Sequence, residues 1–187
     1  MSAVTSERIE RIPMSFEDYL ALPEDAFRNR TVEYVDGIAL VSPEAKSSHN
    51  RIARRLANLI EASCPGLFVV GPAGVWTGER RSRIPDVLAT AEPYDDHWAT
   101  TVPVLVAEVL SPSTRAEDTL RKTGEYAERG IGHYWIIDRD NTSFTALVNN
   151  GHGWDIVLDL DAGQPTGEVQ VGDFGVVAVN LKTLLAL

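Results

Sequence analysis

Apolar positions recur along the chain with two periods, and each change of period marks an element. Near the start, "SFEDYLAL" sets Phe16, Tyr19 and Leu20 at helical spacing behind a serine, with Pro23 beyond, and predicts a short helix. "VEYVDGIALV" places Asp36-Gly37 between two β-rich segments, the signal of a hairpin with a two-residue type I′ turn. "SSHNRIARRLANLIEASC" carries Ile52, Leu56, Leu59 and Ile60 on one face and runs to Pro65-Gly66, which predicts an amphipathic helix. Strand-like pieces follow at "LFVVG", "GVWTG" and "IPDVLAT", with Pro85 opening the last and Asp86 just inside it. A polar loop, "AEPYDDHWATT", leads to "VPVLVAEVLSPST", whose first half is almost wholly apolar. "TRAEDTLRKTGEYAERG" predicts a helix, with Thr114 and Glu117 as a capping box and Gly130 as its C-terminal cap. Its stripe is read as Ala116, Leu120, Thr123 and Ala127, with Lys122 off it. "HYWIID" predicts a buried strand, "SFTALV" and "GWDIVLDL" an antiparallel pair, and "LKTLLAL" a short terminal helix. Together these predict an α/β domain with a mixed sheet.

One residue breaks the pattern. Glu108 lies near the end of a segment that reads as a strand buried on both faces, where an unpaired carboxylate costs several kcal/mol. Asp86 is a second acid within a strand. Two such acids on neighbouring strands can converge on one divalent cation. Hard oxygen ligands suit Mg²⁺ (or Mn²⁺), which takes one or two carboxylates and fills its shell with water and a phosphate-bearing substrate. Lys122, on the following helix, is placed to orient or help deprotonate a water, or to offset phosphate charge. Glu33 faces Leu40 across the hairpin, an acid on an apolar face that suggests a cleft wall. Each position also has a plainer reading. Asp86 could open a strand from a turn, Glu108 could pair with an arginine, Lys122 could be solvated, and Glu33 could mark an exposed edge. His49, at the start of the arginine-bearing helix, reads as a cap or surface residue before a ligand.

Charge narrows the picture further. The formal net charge of −10 weighs against a broad electrostatic grip on nucleic acid. It leaves room for local basic patches, and "GERRSRIPD" and "HNRIARR" supply two, whose plainer reading is a solvated face. Cys64 is the only cysteine, so no internal disulfide or cysteine-rich zinc site is expected. The charged N-terminal "MSAVTSERIERIP" lacks an apolar core, and the expectation is a cytoplasmic protein of one domain over residues 1–187.

Pro85-Asp86, then Glu108, then a lysine, spread over strand, strand and helix, resembles the PD-(D/E)XK nuclease superfamily. Within it, the chain resembles the bacterial restriction endonuclease family once catalogued as a domain of unknown function. The residues that carry the likeness are "VEYVDG", "SPEAKSSHNRIARRL", "RIPDV" and "VAEVLSPSTRAEDTLRKTGEYAERGIGHYWIID", over roughly residues 14 to 160. The resemblance implies a restriction-endonuclease-like core, a mixed central sheet flanked by helices. The superfamily's lysine would stand two places after the acid, where this chain has Leu110; the family likeness implies that Lys122 takes its part. It also implies that the Val109 carbonyl joins Asp86 and Glu108 around the metal, and that Glu33 binds a second metal or orients a water.

The first expectation is therefore a Mg²⁺-dependent endonuclease that hydrolyses DNA, with Asp86, Glu108, Lys122 and Glu33 at its centre. His49, Arg81 and Arg83 are candidate nucleic-acid contacts, and a homodimer is expected because cutting both strands suits a two-fold pair. The rival is a catalytically silent nucleic-acid-binding or protein-interaction module, favoured by the overall acidity. A glycosidase built on the paired carboxylates ranks third, since that chemistry does not call for the lysine.

Overall fold

A computed structural model describes residues 8–23, 25–28, 30–95 and 97–186. Residues 1–7, the start of the charged segment read as lacking an export signal, lie outside the described residues. Two sheets organise the chain. The first runs in the order β1 (Glu10–Pro13), β3 (Ile38–Val41), β2 (Val32–Val35), β6 (Arg81–Arg83) and β5 (Val75–Gly78), all antiparallel. The second runs β11 (Trp154–Leu160), β10 (Ser143–Asn149), β9 (His133–Asp138), β8 (Leu105–Val109), β7 (Val87–Thr90) and β4 (Phe68–Val70). Its β8–β9 pairing is parallel and the others are antiparallel, so the sheet is mixed, as expected. A third, two-stranded sheet, β12 (Thr166–Val171) with β13 (Gly175–Asn180), has no counterpart in the sequence reading, nor do β1 and β6.

The predicted hairpin forms in its expected register. Val35 faces Ile38 and Glu33 faces Leu40, with Asp36 at φ 46° and Gly37 at φ 96°, the paired positive values of a type I′ turn. Helix α1 (Phe16–Leu20) starts where Ser15 accepts from the Asp18 amide. Helix α2 (Ser47–Ser63) buries Ile52, Ala53, Leu56 and Ile60. These pack on Leu105, Ala107 and Val109 of β8. Alternation turns Val106 to the opposite face, against Leu88, Tyr126 and Tyr134. The six-stranded sheet thus lies between α2 on one side and α3 (Lys122–Arg129) on the other. Glu108, next to Val106 in alternation, faces α3. The terminal helix α4 (Leu181–Leu185) is also as expected. Among the described residues no helix is long and apolar enough to cross a membrane.

Parallel strands cannot be joined by a tight turn. The crossover from β8 to β9 is the "SPST" turn followed by α3, and here the structure departs from expectation twice. The capping box does not form. Ser111 Oγ accepts from the Thr114 amide at 3.3 Å, while the Glu117 carboxylate turns to Arg11 instead. The expected stripe is also wrong: Leu120 is 74% exposed, whereas Asp118, Lys122, Glu125 and Tyr126 are buried. A π turn over Glu117–Arg121 precedes α3 and changes which residues face inward. The buried face is ionic rather than apolar, so hydrophobic periodicity could not find it. Asp86 stands one residue before β7, not within it.

Candidate functional site

Strand ends and the start of α3 meet around a cleft of about 610 Å³. Glu33, His49, Asp86, Glu108, Asp118 and Lys122 line it, and Val109 is also part of its wall. Five of these six were singled out by sequence; Asp118 was not. Glu33 comes from β2, Glu108 from the end of β8, Asp86 from the approach to β7, and His49 from the first turn of α2.

Lys122 is the hub. Its Nζ lies 2.9 Å from Glu108 Oε1, 3.0 Å from Glu33 Oε1 and 3.1 Å from Asp118 Oδ1. The solvated reading of this lysine fails: the residue is 4% exposed. Burial disfavours its charge, but Asp118, Glu108 and Glu33 more than offset this and hold its pKa well above the ordinary lysine value. The plainer reading of Glu108 as an arginine's partner also fails, since its partners are Lys122 and the Tyr126 hydroxyl, which donates to Oε1 at 2.9 Å. Burial drives the Glu108 carboxyl well above the carboxylate range, and a lysine shared three ways only partly opposes it. Asp118 is raised for the same reason, burial outweighing Lys122. Glu33 goes the other way. Burial pushes it up, yet the charges of Lys122 and Arg83 and the Ile84 amide, at 2.9 Å, bring it below its ordinary value.

Asp86 is held at both oxygens. Oδ2 accepts the Val109 amide at 2.8 Å and Oδ1 meets His49 Nε2 at 2.9 Å. His49 is thus neither a helix cap nor a free surface side chain. Burial lowers its pKa, but the hydrogen bond and charge of Asp86 outweigh that and raise it. Four carboxylates, from Glu33, Asp86, Glu108 and Asp118, therefore gather around or beside the buried Lys122 ammonium, in a cleft whose lining also includes Glu44, Lys46, Arg139 and Asp140. That concentration of hard oxygen donors suits a divalent cation, whose charge would favour the ionised form of the carboxyls that burial holds up. Both hydrogen bonds to Glu108 fall on Oε1, so Oε2, with Asp86, is the donor left to ligate one. No cluster of three or more His, Cys, Asp or Glu side chains among the described residues is already arranged around a metal position. Two carboxylates completed by water and phosphate is the usual pattern for Mg²⁺.

The two arginines separate. Arg81 is exposed and pairs with Asp36 at 2.7 Å. Arg83 is fully buried, contrary to its reading as a nucleic-acid contact or part of a solvated face. Its Nε and Nη2 grip Glu125 at 2.7 and 2.6 Å, and Nη1 reaches Glu33 at 3.1 Å. It fixes Glu33 from behind the cleft and is closed to any ligand. Asp118 and Glu125 were legible only as acids at helical spacing from Lys122 and Arg129, a weak signal.

A family profile matches residues 16–170, with the description "Putative restriction endonuclease". The chain belongs to the Uma2 family. Among solved structures, this Uma2 chain is similar to a "putative nuclease belonging to DUF820" from Anabaena variabilis ATCC 29413. The TM-score is 0.73 at 18% identity, over 93% of this chain and 98% of that one. At that identity the likeness speaks for the fold, which is the nuclease-like mixed α/β arrangement expected from sequence. A search of curated proteins returned no match.

Proposed function

We propose that this Uma2 chain is a metal-dependent DNA endonuclease that hydrolyses phosphodiester bonds by attack of water. The observation that carries the reading is the convergence of Glu108, Asp86 and the Lys122 ammonium in one cleft of a nuclease-like fold, with Lys122 2.9 Å from Glu108. Asp86 and Glu108 would hold Mg²⁺ or Mn²⁺, with the Val109 carbonyl as a third donor. Such a cation polarises the phosphorus centre and lowers the pKa of bound water.

The protein's own groups supply orientation and charge. His49 and the Val109 amide pin both oxygens of Asp86, and the Tyr126 hydroxyl pins Oε1 of Glu108, so neither carboxylate has to reorganise as substrate arrives. Lys122, held protonated by its acidic neighbours, is a donor and not a base. It orients the attacking water or offsets charge growing on the phosphate. Glu33, kept ionised by Arg83, Lys122 and the Ile84 amide, accepts a hydrogen bond from that water. Attack in line with the leaving oxygen needs no covalent enzyme intermediate. The reading includes one domain over residues 1–187 acting in the cytoplasm, and a homodimer, since double-strand cleavage calls for two copies of the site.

The test is plasmid cleavage with Mg²⁺ or Mn²⁺ by the unaltered protein beside Asp86→Ala and Glu108→Ala. Each variant should lose at least about a hundredfold in rate, since the cation's contribution is several kcal/mol. Equal cleavage by all three proteins would place the activity elsewhere.

A further inference from the structure

The Lys122 ammonium has three carboxylate partners, and the nuclease reading, on which this inference rests, assigns one of them to a cation. A divalent ion on Glu108 repels the ammonium only 2.9 Å away and competes for the same carboxylate. Glu33 lies on β2, in the other sheet, and is already engaged by Arg83 and the Ile84 amide. Asp118 differs from both. It stands one turn before Lys122 on the same crossover, is 1% exposed, and its Oδ1 lies 3.1 Å from the ammonium, with no other group hydrogen-bonding that oxygen. An acceptor buried so deeply and held by this one ion pair alone is poised for its partner to move slightly closer.

We infer that Asp118 is the positioning residue that keeps the Lys122 ammonium in the cleft when a divalent cation takes Glu108. The backbone is built to hold it. The π turn places Asp118 beside Lys122, and the turn's loosened carbonyl at Asp118 is captured by the Tyr134 hydroxyl at 2.6 Å and approached by Thr123 Oγ1 at 3.3 Å. Tyr134 lies on β9, whose parallel pairing with β8 also fixes Glu108. The lysine's anchor and the cation's ligand are therefore tied to adjacent strands. On cation binding the ammonium shifts its share from Glu108 to Asp118 and remains available to the water or the phosphate.

The chain has three lysines, Lys46, Lys122 and Lys182, and Lys122 is the buried one. Its ammonium should give a ¹⁵N-detected signal protected from solvent exchange, readable in [¹⁵N]lysine-labelled protein. With saturating Mg²⁺, judged by the Val109 amide shift, that signal should move but persist in the unaltered protein. In Asp118→Asn it should broaden beyond detection on adding Mg²⁺, and kcat should fall by about tenfold or more at unchanged KM; Asp118→Glu should restore both. A signal that persists in Mg²⁺-saturated Asp118→Asn would overturn the inference. So would its loss from Mg²⁺-saturated unaltered protein, a measurement that needs no variant to fold. If no amide responds to Mg²⁺ or Mn²⁺, the nuclease reading itself falls and takes the inference with it.

Discussion

Replacing Arg83 by methionine asks whether this side chain holds the fold together or contacts a ligand. Its guanidinium has no exposure and meets Glu125 at 2.6 and 2.7 Å and Glu33 at 3.1 Å. Methionine fills much of the volume but leaves Glu125 buried without its counter-charge and Glu33 with only Lys122 and the Ile84 amide. Removing one partner of a buried pair costs about 3–5 kcal/mol, whereas replacing the whole pair with apolar groups is often neutral. Against a total stability of about 5–15 kcal/mol, the loss is a large fraction. At this chain length each kcal/mol corresponds to about 2–4 °C, so the melting temperature should fall by about 6–20 °C. Thermal and urea melts followed by circular dichroism measure it. A second variant, Arg83→Met with Glu125→Leu, should recover part of the loss. If Arg83→Met melts within about 1 kcal/mol of the unaltered protein and instead loses DNA affinity, the arginine is a ligand contact and the buried-network account is wrong.

Three further outcomes follow from the charges and the backbone. Burial raises the Glu108 pKa in the folded state, so the folded protein holds a proton that the unfolded chain releases near pH 4.5. Stability of the cation-free protein should then fall as pH rises above that value, and Glu108→Gln should shrink the fall to the part that the raised Asp118 carboxyl contributes, as urea melts across pH 4 to 8 would show. Asp138 behaves oppositely: hydrogen bonds from Arg115 lower it from 3.8 to about 2. Its contribution is present above about pH 4 and is lost as pH drops through 2, and Asp138→Asn should abolish that part of the acid transition while leaving neutral stability lower. Tyr134→Phe deletes the hydroxyl that donates to the Asp118 carbonyl and should cost about 1 kcal/mol in a urea melt.

Where elements are written in apolar spacing or turn chemistry, the sequence reading and the structure agree. The Asp36-Gly37 turn, the buried face of α2 and the buried strands β8 and β9 belong here, and the turn even placed Glu33 opposite Leu40. The reading failed where burial is ionic. Lys122, Asp118 and Glu125 form an inward face with almost no apolar residue, and the π turn shifts that face out of an α-helical count. Arg83 was hidden the same way, since three arginines in "GERRSRIPD" look alike until β6 sends one into the interior and leaves Arg81 at the surface. Glu108 and Glu33 were nonetheless legible, because a carboxylate in an apolar strand is conspicuous, whereas Asp118 on the ionic face was not.

The outermost strands hold a consequence for dissection of the molecule. Trp154, on β11, donates its indole N–H to the Thr123 carbonyl at 2.7 Å, and the Asn149 amide, at the end of β10, donates to the Ala127 and Ile131 carbonyls at 3.1 Å. Every acid and base of the Lys122 cluster precedes them in the chain, so a truncation after β9 would look like a minimal version containing that whole cluster. It would instead release the far side of α3, and Lys122 would lose its fixed direction while its own residues stayed intact. The smallest competent piece of this chain therefore extends through a hairpin that carries none of the chemistry.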